Sequence, residues 1–111
     1  MGILSTDNLD KFLEAYNDIE ELKRLLRLQA QAQEELEYDY GHTADRLTEY
    51  YVSKYGRQPD CKDVLGDVID DLLNSKQSHA QDKAVLQSQI LALDKVLEAM
   101  DEAQACFNVD D

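Results

Sequence analysis

The sequence predicts an all-α protein, an antiparallel two-helix hairpin of coiled-coil type. Three observations predict it. The 111 residues include only four Gly and one Pro, too few for the many turns of a sheet protein. From Leu65 to Phe107, residues recur at alternating steps of four and three as one unbroken seam, and a helix with such a seam must face another helix. Finally, the chain has one strong turn, Tyr55-Gly56 followed by Arg57-Gln58-Pro59-Asp60, so two long helices return on each other. The expectation is a single helical domain over 1–111, with a helix at 7–55, a turn at 56–60 and a helix at 61–107.

The first helix can be capped by Ser5, Thr6 or Asp7, and Asp7 and Asp10 suit the positive end of its dipole. Its seam reads Leu9, Phe12, Tyr16, Ile19, Leu26, Ala30, Tyr40, Ala44, Leu47 and Tyr51. Lys23, Gln33 and Glu37 interrupt that seam, and Tyr55-Gly56 ends it. Asp60 or Gln58 caps the second helix, whose seam is apolar at both ends. Its middle is basic, with Lys76, His79 and Lys83 in seam positions.

The two seams test the hairpin. If Tyr51 meets Leu65, the numbers of facing residues add to about 116. Leu47 then meets Ile69, Ala44 meets Leu72, Leu26 meets Ile90, Ile19 meets Leu97, Tyr16 meets Met100 and Leu9 meets Phe107. The polar interruptions coincide as well: Glu37 faces His79 and Gln33 faces Lys83. Apolar meets apolar and acid meets base in one register, and the polar pairing is expected to fix that register.

One level of the hairpin is soft. Gly41 costs its helix about 1 kcal/mol against Ala, and it faces Ser75 of the weak point Asn74-Ser75. Either the helices run through, or the pair bends there into a four-helix bundle. Beside the seams lies a second apolar set, including Leu13, Leu22, Leu25, Leu36, Val68 and Val96. One two-helix seam cannot cover these residues, so they call for another surface, and a homodimer is expected.

Asp and Glu number 24 against 11 Lys and Arg, a net charge of −13. Such a chain repels nucleic acid and anionic membrane, which bind clustered Lys and Arg, and it favours basic partners. No apolar run reaches the roughly 18 residues of a membrane span, and no signal peptide opens the chain. Cys61 and Cys106 form neither a disulfide framework nor a metal motif. The expected location is therefore cytoplasmic, in a reducing compartment. Met1-Gly2-Ile3-Leu4-Ser5-Thr6 matches the loose N-myristoylation pattern, but Asp7 and Asp10 follow where an anchor wants a basic patch.

The candidate functional residues lie around the turn. Asp60, Asp63, Asp67, Asp70 and Asp71 recur at helical spacing, about 5–6 Å apart per turn. That is close to the spacing of phosphates along a nucleic-acid strand. Tyr50, Tyr51 and Tyr55 stand close by in sequence, and tyrosine joins apolar area to a polar tip. Together these residues are expected to form a binding face for a basic protein surface, such as that of a nucleic-acid-processing enzyme. The alternative is a structural component that assembles through the second apolar set. No metal-binding, phosphate-loop or nucleophile motif is present, so the expectation is a non-enzymatic protein without a cofactor.

Asp63-Val64-Leu65-Gly66-Asp67-Val68-Ile69 resembles a carboxylate helix of the all-helical MazG-like nucleotide pyrophosphohydrolases. The resemblance implies Mg²⁺ held by carboxylates against a triphosphate. It covers seven residues, with Val64 at one position where the family has an acid. The companion stretch Glu34-Glu35-Leu36-Glu37-Tyr38 departs in the same way, with Tyr38 where the family needs an acid.

Overall fold

In a computed structural model the chain forms two helices, α1 (Thr6–Tyr55) and α2 (Val64–Val109). The structure describes the backbone of residues 6–60 and 62–109, and side chains within 8–60 and 62–105. The expectations for Met1 to Ser5, for Cys61, and for the side chains of Cys106 and Phe107 lie outside these residues. The helices pair antiparallel, as the early residues of α1 meet the late residues of α2: Lys23 pairs with Asp94, Glu37 with Lys83. The all-α hairpin expected from the two seams is the observed fold.

α1 starts and ends where the caps place it, to within a residue. It stops because Gly56 adopts φ 68°, a left-handed conformation that glycine enters without steric cost, while its N–H still reaches the Val52 carbonyl at 2.8 Å. α2 begins at Val64, three residues later than a cap at Asp60 placed it. The intervening residues make a turn instead. The Asp63 N–H donates to the Asp60 carbonyl at 3.0 Å, and the Asp60 carboxylate accepts from the Lys62 N–H at 3.1 Å. The Asp60 backbone is folded so tightly onto the first turn of α2 that a Cβ at Gly66 would collide with it.

Contacts divide the chain into two compact units, one of Met1–Leu28 with Leu86–Asp111, the other Gln29–Val85. In each, most of the residues that are not exposed belong to the two seams. Leu9 and Lys76 are exposed seam residues, and the Lys76 methylenes lie 3.1 Å from where a Cβ of Gly41 would stand. Gly41 is therefore more than a weak helix former: its missing side chain leaves room for the Lys76 stem. Both helices of Gln29–Val85 run unbroken through Gly41 and through Ser75.

Gln29–Val85 holds every fully buried apolar residue among the described ones: Ala30, Ala44, Tyr51 and Ile69. The other unit has a seam that is only half-buried, made of Phe12, Tyr16, Ile19 and Leu26 against Leu86, Ile90, Leu93, Leu97 and Met100. Leu22, Leu25 and Val96 stand outside it, with exposures of 48%, 43% and 42%.

The polar layer differs from its expected form in partners rather than in level. His79 Nδ1 lies 2.5 Å from Gln33 Oε1, and Lys83 Nζ donates to Glu37 Oε2 at 2.9 Å. Each contact is a diagonal, one turn off the direct pairing of Glu37 with His79, and the two diagonals average to the same register. The reason is reach and charge. A lysine spans a helical turn and seeks the carboxylate rather than the amide. The imidazole is left to the amide, with the Tyr40 ring stacked on it at 5.3 Å.

Candidate interaction surface

The turn end is organised by one carboxylate. The Tyr51 hydroxyl donates to Asp63 Oδ2, and Arg57 Nη2 donates to the same oxygen at 2.7 Å. Tyr51 comes from the last turns of α1, Arg57 from the connection and Asp63 from the residue before α2. A single anion therefore ties three successive segments. The Tyr51 hydroxyl and the Arg57 guanidinium hold the Asp63 carboxyl below the ordinary aspartate range. Burial, with the Asp63 carboxylate beside it, raises the Tyr51 hydroxyl. Arg57 is raised in turn by its bond to Asp63.

Around this latch the rings and cations interleave. Tyr51 and Tyr55 pack tilted with centroids 4.7 Å apart, and the Arg57 guanidinium lies 5.3 Å from the Tyr51 ring. Lys54 sits 5.8 Å from the Tyr50 ring and 5.4 Å from that of Tyr55. Tyr55 shares a hollow with Val64, Leu65 and Val68, whereas Tyr50 lines one with Arg46 and Glu49 on its own helix.

The eight candidate residues thus fall into three groups. Tyr51, Asp63 and the part-buried Asp60 build the turn. Tyr50 and Tyr55 are exposed, but their rings face Lys54. Asp67, Asp70 and Asp71 are exposed on α2 and make none of the ion pairs found among the described residues. The hollows lined by Tyr38, by Tyr50 and by Tyr51 with Tyr55 include none of these three aspartates. Asp67 also lies in the first turn of α2, where a negative charge complements the helix dipole.

A second feature lies away from the turn. Glu34, Tyr38, Gly41, His42 and Asp45 of α1 and Lys76 of α2 line an open groove within Gln29–Val85. Tyr38 stacks on His42 at 5.6 Å, nearly parallel, and Arg46 Nε donates to His42 Nε2 at 2.9 Å. The spacing Tyr38, His42, Arg46 on one helix is the signal that could have found this stack. His42 is exposed.

The residues that carry the resemblance to MazG-like enzymes do not fit a magnesium site. Asp63 already has a guanidinium and a phenol on its carboxylate, and among the described residues no three His, Cys, Asp or Glu side chains are grouped to hold a metal. Among the described residues no helix is long and apolar enough to cross a membrane. In comparisons with known families, with curated proteins and with solved structures, nothing matches this chain.

Proposed function

We propose that this protein is a helical protein-binding module that presents an acidic helix face to a basic surface of another protein, in the leading version a nucleic-acid-binding enzyme. The observation that carries the reading is the state of Asp67, Asp70 and Asp71. They are exposed and unpaired among the described residues, on a helix start anchored by the Asp63 latch. A net charge of −13 draws basic partners at long range, while the three aspartates supply the short-range contacts. Their anchoring matters because a face already held in place loses little freedom on binding.

The test uses the full chain as bait in a nuclease-treated lysate of its source cells, beside Asp67→Lys/Asp70→Lys/Asp71→Lys. All three positions are exposed, so the variant should keep its helical circular dichroism. The expected result is a nucleic-acid-binding protein held by the unaltered chain. It should be released as salt rises, displaced by added duplex nucleic acid and lost on the variant. Equal retention by the folded variant would sink the reading. Retention that survives high salt would do the same, because apolar contacts do not weaken in that way.

A further inference from the structure

The unit Met1–Leu28 with Leu86–Asp111 has two unlike sides. Lys23 pairs with Asp94, the Asp101 carboxylate beside Tyr16 raises its hydroxyl, and both contacts lie on one side of the seam. That side is crowded with charge, including Glu20, Arg24, Arg27 and Glu98. The opposite side collects the positions just before the seam residues on both helices: Leu22, Leu25, Ala92, Val96 and Ala99, all exposed. In an antiparallel pair such positions of the two helices share one side. Between Lys11 and Leu25, and between Gln89 and Ala103, the charges on it are Lys11 and Asp18 alone. For a chain with 32% charged residues this is a marked depletion, and among the described residues this unit buries no apolar side chain fully.

We infer that this face binds the same face of a second copy, with the two hairpins parallel, so that α1 of each lies on α2 of the other. Three features of the page select this occupant. The first is size. The contacts of Lys23 with Asp94 and of Tyr16 with Asp101 put Leu22 level with Val96, Leu25 level with Ala92 and Asp18 level with Ala99. A two-fold axis along the helices then sets Leu25 against the partner's Ala92 and Leu22 against the partner's Val96, larger against smaller on both sides. The second is charge. At the rim, Glu21 falls beside the partner's Lys95, and Lys11 within a turn of the partner's Glu102. The third is repulsion. With −13 on each chain, two copies can approach only through a face from which charge is missing.

The apolar residues of this face are few beside the roughly 20–30 residues a side of a standard interface, so a micromolar dimer is the expectation. This inference concerns other residues than Asp67, Asp70 and Asp71, so it stands or falls independently of the proposed function.

Sedimentation equilibrium of the full chain tests it. The expected result is twice the chain mass of 12.7 kDa at tens of micromolar, falling to the monomer on dilution. Leu22→Glu/Leu25→Glu should stay monomeric throughout, with unchanged helical circular dichroism because both residues are exposed. The geometry is read by disulfide trapping in a Cys61→Ser/Cys106→Ser background. Leu25→Cys/Ala92→Cys should yield covalent dimers, and Leu25→Cys alone should not. A monomer at every concentration overturns the proposal. So does a dimer that survives in the Glu variant, or efficient trapping by Leu25→Cys alone.

Discussion

The two units of this hairpin carry the same heptad pattern and finish it differently. Gln29–Val85 contains the connection between the helices, a polar layer of Gln33, Glu37, His79 and Lys83, and the fully buried Ala30, Ala44, Tyr51 and Ile69. The other unit has comparable leucine and isoleucine seams, but no described residue is fully buried, and Leu22, Leu25 and Val96 lie open. The difference teaches that a heptad seam alone covers only a strip of each helix. Complete burial needs something more: here a tyrosine clamped by Asp63, an Asp60 backbone folded over Gly66, and a lysine stem over Gly41. Where these are missing, the face awaits a second surface.

The sharpest way to break this comparison is truncation in matched seams. Ile69→Ala removes three carbons from a closed site and should cost about 2–4 kcal/mol in urea unfolding. Leu97→Ala, in the half-buried seam, should cost about 1–2 kcal/mol, because part of its surface is already wet. Equal costs would show the units to be equally packed. Gly66→Ala comes next, at about 1–3 kcal/mol, since the new Cβ must displace the Asp60 backbone. Hydrogen exchange sharpens the picture further. In dilute, monomeric protein, amides of α1 and α2 within 29–85 should exchange more slowly than those of 8–28 and 86–105.

The smallest expected effect is on pH dependence. The Asp63 carboxyl is held below its ordinary value in the folded chain. The stability it contributes is therefore present above the ordinary aspartate value and lost as pH falls through the lowered one. Lys83 has the opposite sense, being raised by Glu37. Its contribution is present below the ordinary lysine value and lost as pH rises through the raised one. Asp63→Asn should flatten the acid limb of an unfolding curve and also change the alkaline limb, because the Asp63 carboxylate helps hold the Tyr51 hydroxyl above its ordinary value, whereas Lys83→Met should change the alkaline limb alone. A Lys83→Met variant whose acid limb also moves would show that the latch and the polar layer are coupled.

The candidate surface was partly legible. Asp67, Asp70 and Asp71 could be placed on an exposed helix face from spacing alone, because solvation of a charged face is a local property. Asp63 and Tyr51 belong to the same stretches, yet the fold spends both on the turn. No spacing rule reveals this, since the hydrogen bond depends on how the connection between the helices is bent.

What the sequence by itself determined is the all-α class, the two helices, the stop at Gly56 and the mean register of the seams. All of these follow from periodicity, caps and the placement of one turn, which act over a few residues at a time. Only the tertiary structure decided which polar groups meet. It exchanged the partners of Glu37 and Gln33, delayed the start of α2 to Val64, and placed Asp63 between Tyr51 and Arg57. The physical reason is that long polar side chains can reach up or down a turn. Their pairing is settled by charge, reach and local backbone geometry after the apolar seam has set the level.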